Sequence, residues 1–377
     1  MAKLPTQPDV LVLGDHPSAY FAVALLRQAP ALNVIHAKVP DEEHPDRLVL
    51  INPRFFELHP LLTPLKKSLD LQPITGLRFL SDAPAVSSEY RSRSTVAHVG
   101  QLKQIRTALC KIAEAQGVKS QAGDALEIHG VDESGADVTV GRMRCRPKLI
   151  LLAGELPAEQ QRILGITAGW DRDVVHRYAF CKLKGARWIA TDPRPLLPMS
   201  LDVKQSLSWG WLIPGEGCVQ IAVEQPAARA SGNPTPQLLE HWFKTLVGHG
   251  VLKGAAPDFA SATHLDLPLA GALAVEGVAN RTLLFGPAGG FYSACAEDIY
   301  PCCWSALFAA DSARKALRER FVQDALQQYR QRWGSTLGDY LRGPQQNLRF
   351  LLPMIYRNRT MTERVAQAIL SGESVVR

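Results

Sequence analysis

Two apolar strands that run straight into glycine turns, one near each end of the chain, restrict the possible folds more than any other feature. The first is Val10-Leu11-Val12-Leu13-Gly14-Asp15-His16-Pro17-Ser18-Ala19, and the second is Leu283-Leu284-Phe285-Gly286-Pro287-Ala288-Gly289-Gly290-Phe291. A third such run, Leu149-Ile150-Leu151-Leu152-Ala153-Gly154, lies between them. Strands this uniformly apolar are buried on both faces, as in a parallel sheet covered by other layers. After the first turn, Ala19, Ala22, Val23 and Leu26 recur at helical spacing, Pro30 stops that helix, and Asn33 to Ala37 reads as a second strand. The chain therefore opens β-α-β, and an α/β fold is expected.

Farther along, Leu48 to Pro53 and Gly76 to Leu80 read as strands. Phe56 to Leu69 and Val99 to Ala115 read as helices, and Asp124 to Val140 as a hairpin about Asp132-Glu133-Ser134-Gly135. Between Trp170 and Leu269 aromatic and β-branched strands take over, with one helix near Gln237 to Val247. A helix from Ile299 to Leu317 follows the second glycine turn, and helical periodicity dominates from there to the C-terminus. The pattern predicts an α/β domain in two parts, residues 1–168 and 281–320, around an inserted β-sheet domain, 169–280, with a helical region at 321–377.

At 377 residues, 46% hydrophobic and 21% charged, the chain can bury a sizeable core. Its formal charge of +6 is scattered and not gathered on one element beside aromatics, which argues against nucleic acid as a partner. The residues before Asp9 lack the pattern of a secretory signal, and no apolar run approaches the roughly 20 residues of a membrane span. Seven cysteines without framework spacing suit a reducing compartment, so a cytoplasmic protein without a metal site is expected. Toward the C-terminus, Leu348 to Leu370 mixes Arg349, Arg357, Arg359 and Arg364 with Phe350, Leu351, Leu352, Met354 and Ile355. Such a stretch either packs on its own domain or makes peripheral contact with an anionic membrane.

The order of these landmarks resembles the p-hydroxybenzoate hydroxylase-like flavoproteins, and within them the geranylgeranyl reductase and flavin-dependent halogenase branch. Gly14, Pro17 and Ala19 match the first landmark, G-x-G-P-x-G. Ala153, Gly154, Arg162, Leu164 and Gly165 follow the middle one, and Gly286 to Phe291 with Ala296-Glu297-Asp298-Ile299 follow the third. Trp209-Gly210-Trp211-Leu212-Ile213-Pro214 fits the W-x-W-x-I-P stretch of the halogenases. The resemblance covers most of the chain and implies a Rossmann-like FAD-binding domain, an inserted β-sheet substrate domain and a helical C-terminus. It further implies an FAD-dependent reductase or monooxygenase that takes its hydride from NAD(P)H and acts on a hydrophobic small molecule.

Carried over residue by residue, the resemblance gives a cofactor site of Gly14, His16, Pro17, Ser18, Ala19, Gly154, Gly286, Pro287, Ala288, Gly289, Gly290 and Asp298. Trp209 and Trp211 line or support the substrate pocket, or are alternating core residues of their strand. The pyrophosphate belongs at a helix N-terminus, where free N–H groups and the positive dipole end meet it. His16 stands where the family has its second glycine, and Pro287 stands where it has an acid. His36-Ala37-Lys38 offers no carboxylate to an adenosine ribose. The halogenase lysine before G-[IL]-R-F is replaced by Ile74 or Thr75, and Gly215 follows Pro214 where the reductases commonly have lysine. Cys295 and Cys302 are either thiolates favoured by a helix start or small buried side chains. No residue is assigned as catalytic acid or base. A second reading is a flavoprotein fold that no longer binds FAD and serves as a binding or scaffold protein.

Overall fold

The structure, a computed structural model, describes residues 7–39, 45–81, 83, 86–122, 126–168, 170, 174–184, 187–188, 197–202, 208–227, 235–341 and 354–372. Its first layer is a six-stranded sheet ordered Val278–Ala279, Thr282–Leu284, Leu149–Leu152, Val10–Leu13, Val34–Ala37 and Ser120–Gln121. All neighbours run parallel except the Val278–Ala279 edge. The four residues of Val10–Leu13 alternate between two cores, which is why none of them is polar. Val10 and Val12 face the helices Pro17–Arg27, Leu102–Ala115 and Ile299–Ala316. Leu11 and Leu13 face the hairpin Leu126–Asp132 and Gly135–Val140.

A seven-stranded sheet forms the second body, ordered Thr263–Pro268, Val175–Lys184, Cys218–Pro226, Ser208–Gly215, Leu197–Asp202, Gly76–Leu80 and Ser87–Arg91. Its strands come from widely separated stretches, and Leu197–Asp202 pairs parallel with Gly76–Leu80. One face packs on helix Thr235–Gly248. The other packs on a three-stranded sheet of Leu48–Ile51, Ala97–Gln101 and Gln72–Ile74, and on the C-terminal helix Arg359–Ser371. Val365, Ala366, Ile369 and Leu370 of that helix are buried in this core, so the described end of the arginine-rich segment packs on its own domain. Among the described residues no helix is long and apolar enough to cross a membrane. Residues 348–353 of the same segment lie outside the described residues.

Two predicted helices are corrected. Val99 is in a strand, Ala97–Gln101, paired with Leu50 and Gln72, and the helix starts only at Leu102. The apolar periodicity there is shared by both elements, and pairing with two strands decides it. Phe56 to Leu69 is a 3-10 turn, Pro53–Glu57, and a short helix, Leu65–Ser68. Pro60 and Pro64 remove two N–H groups and break the run.

One buried side chain adds a hydrogen-bonded link between the seven- and three-stranded sheets. Gln220, with no exposed surface, accepts a hydrogen bond from the Leu48 amide at 2.8 Å and donates to the Leu48 carbonyl at 3.0 Å. Its carboxamide thus does for Leu48 what a neighbouring strand would do. Gln220→Leu keeps the volume but strands a buried N–H and C=O. It is expected to lower stability by on the order of 2–4 kcal/mol, read as a lower urea midpoint at unchanged slope.

Candidate functional site

The glycine turns meet at the C-terminal end of the parallel strands. Gly14 has φ +129°, and a Cβ there would lie 2.8 Å from the Gly154 amide nitrogen. Gly286 has φ +57°, and its Cβ would lie 2.5 Å from the Ser18 hydroxyl. Only glycine accepts such backbone angles and such close neighbours. The sequence-predicted residues Gly14, Ser18, Gly154 and Gly286 are therefore brought together.

His16 decides what this junction can hold. It is the N-cap of helix Pro17–Arg27, in extended backbone, and its Nδ1 accepts a hydrogen bond from the Ser18 amide at 3.2 Å. The Ser18 hydroxyl lies 2.8 Å from the same nitrogen. Pro17 has no N–H, and the Ala19 amide donates to the His16 carbonyl at 2.9 Å. The Ser18 and Ala19 amides at the start of this helix are thus bonded within the chain. Because Nδ1 accepts, the ring proton is on Nε2, which faces Asp298 Oδ2 at 3.3 Å. Arg47 donates to the same carboxylate oxygen. His16, Arg47 and Asp298 are only 1%, 3% and 2% exposed. Burial works against the Arg47 charge, but Asp298, Tyr178 and Tyr292 together outweigh it and hold the guanidinium charged.

The second turn is closed in a similar way. Gly286 donates to the Ser305 hydroxyl, Ala288 to the Ala153 carbonyl and Gly290 to the Pro287 carbonyl, at 2.9, 3.0 and 2.9 Å. The Gly286, Ala288 and Gly290 amides are thus bonded inward. At the start of helix Ile299–Ala316 the Tyr300 amide donates to Glu297 Oε1 at 2.9 Å, and Pro301 has no N–H to offer. Glu297 Oε2 accepts from Ser293 at 2.7 Å and from Tyr340 at 3.1 Å.

The adenosine end is also occupied. His36 Nε2 lies 2.8 Å from the Gly14 carbonyl, to which it donates, and Nδ1 lies 2.7 Å from the Ser120 hydroxyl. The carboxylate near this end is Asp15, which takes Lys38 at 3.2 Å, Arg106 at 2.8 Å and the Tyr20 hydroxyl. Burial pushes the Asp15 carboxyl up, but Tyr20, Arg106 and Lys38 together hold it below the usual carboxylate range. An FAD pyrophosphate would need open N–H groups at the first helix and would stand beside the buried Asp298 carboxylate. The residues present do not fit that group.

Trp211 has no exposed surface and stacks on Tyr178, with ring centroids 5.3 Å apart. It sits among the core residues of its sheet, and its carbonyl accepts from Trp242 Nε1 at 3.0 Å. The backbone of Trp209 lies in the same strand, and its side chain is outside the described residues. Cys295 and Cys302 are buried, and burial pushes both thiols well above their ordinary range. The reactive alternative for these cysteines is therefore corrected. Arg47, Tyr340 and Asn52, which donates to Tyr340 at 3.3 Å, were not singled out in the sequence. The available signal was Arg47 directly ahead of a fully apolar strand, a charge that needs a distant partner.

Burial pushes the Glu297 carboxyl up to about 7, helped by the neighbouring Asp298 and opposed by the hydrogen bonds from Ser293, Tyr300 and Tyr340. Between its ordinary value of 4.5 and about 7, the folded chain keeps a proton that the unfolded chain has released. The resulting stability is fully present below the lower value and is lost as pH rises through the upper one. Glu297→Gln has no proton to lose. Across this window the wild type should lose on the order of 3 kcal/mol relative to the variant, measured by urea unfolding at several pH values.

No protein-family model matches the chain, and no curated protein does. Among solved structures, a geranylgeranyl bacteriochlorophyll reductase-like protein from Thermoplasma acidophilum matches with a TM-score of 0.70 at 15% identity, over 88% of this chain and 84% of that one. A flavoprotein/dehydrogenase from Cytophaga hutchinsonii matches with 0.66 at 16%, over 97% and 93%. PqsL, a probable FAD-dependent monooxygenase from Pseudomonas aeruginosa, matches with 0.62 at 15%, over 94% and 97%. The chain shares the Rossmann-like α/β fold of these solved structures.

Proposed function

We propose that this chain keeps the flavoprotein fold without the FAD cradle and works as a binding or scaffold protein. The observation that carries this reading is the occupied start of helix Pro17–Arg27, where His16 takes the Ser18 amide and hands its other nitrogen to Asp298. A pyrophosphate depends on such amides and on the dipole end behind them. Bringing its charge against a carboxylate that is 2% exposed adds repulsion in a region of low dielectric. The full burial of Trp211 supports the same reading, because a stacked core side chain presents no surface to a substrate.

The oxidoreductase reading has one observation in its favour. Gly14, Gly154 and Gly286 retain the close backbone approach by which this fold brings a dinucleotide to its turns. On that reading FAD is bound, NAD(P)H is the reductant, and the substrate is a hydrophobic small molecule held over Trp209 and Trp211. The two readings differ in one spectrum. Protein purified without added cofactor is expected to lack visible flavin absorbance and to leave FAD fluorescence unquenched on titration. A yellow protein with stoichiometric FAD would overturn the proposal in favour of the oxidoreductase.

A further inference from the structure

The buried ion pair at the helix start has a specific role. We propose that the Asp298 carboxylate is a built-in anion, standing in for the phosphate that this fold otherwise places at the N-terminus of helix Pro17–Arg27. The inference rests on the closed-cradle reading above. It identifies what occupies the cradle.

A helix start carries about half a positive charge, and an anion there is stabilising. In this chain the charge is conveyed in two steps. The Ser18 amide donates to His16 Nδ1, and His16 Nε2 donates to Asp298 Oδ2. Each donor polarises the next, so the carboxylate feels the helix through the ring. Arg47 donates to the same oxygen and balances the remaining charge. The three residues are far apart in sequence, 282 positions from His16 to Asp298 and 251 from Arg47 to Asp298. Burying a carboxylate and a guanidinium is costly unless their pairing compensates. Glu297, the adjacent acid, points elsewhere, to Ser293, Tyr300 and Tyr340, and so Asp298 alone serves the first helix.

Charge and shape are separated by two variants. Asp298→Asn keeps the size and an oxygen acceptor but removes the charge. Asp298→Ala removes the carboxylate and leaves room for a formate ion. Both are expected to lower Tm by roughly 5–10 °C, as when one partner of a buried pair is lost. Sodium formate should recover part of the loss in Asp298→Ala, sodium chloride at equal ionic strength should not, and the wild type should respond equally to both. An Asp298→Asn protein as stable as wild type, or an Asp298→Ala protein indifferent to formate, would overturn the inference.

Should the variants fail to fold, the wild type carries the test. Nitrogen chemical shifts of His16 are expected to show a protonated Nε2 and an unprotonated Nδ1, and the reverse tautomer would refute the relay. A yellow wild-type protein would end the closed-cradle reading itself. A colourless one with a stable Asp298→Asn variant would end only the built-in anion.

Discussion

Every helix begins with N–H groups that its own turns cannot satisfy, and the junction of the two glycine turns is organised by how two such beginnings are met. Helix Pro17–Arg27 is met by a histidine nitrogen and helix Ile299–Ala316 by a glutamate oxygen. Neither solution is self-contained. The imidazole needs an acceptor for its second nitrogen, which brings in Asp298 and then Arg47. The glutamate needs donors for its second oxygen, which brings in Ser293 and Tyr340. The histidine at the second glycine position is thus tied to Asp298 and Arg47, from two other parts of the chain. That linkage is why the site reads as rebuilt and not simply damaged.

The layered fold was largely legible because its signals are local. Uniformly apolar strands ending in glycine announce a parallel sheet, and the strands Val10–Leu13, Leu149–Leu152 and Thr282–Leu284 all lie in it. His16 and Pro287 were legible as departures, since a glycine position and an acid position were filled by residues with other chemistry. Arg47 and Tyr340 were not legible, because nothing within a helical turn or a strand neighbour of either residue names its partner. Val99 failed for a related reason: a short apolar stretch serves a strand or a helix equally, and only Leu50 and Gln72 settle the matter. Trp211 had two compatible readings in the sequence, and its stacking on Tyr178 places it in the core.

Interior polar contacts also show how the two bodies are joined. Gln220 lends a strand-like edge to Leu48, and Arg47, the preceding residue, pairs with Asp298. Two adjacent residues therefore tie the seven-stranded sheet, the three-stranded sheet and the start of helix Ile299–Ala316 to one another. Movement of the Leu48–Ile51 strand would break a neutral clamp and an ion pair together.

The parallel pairing of Gly76–Leu80 with Leu197–Asp202 sets an order on folding during synthesis. When the first of these strands leaves the ribosome, the strand that covers its inner edge has not been made. Among the described residues its neighbour at that point is Ser87–Arg91, a hairpin partner on one edge. More than a hundred further residues must emerge before the inner edge closes, a separation that slows folding and leaves a bare strand exposed to other chains.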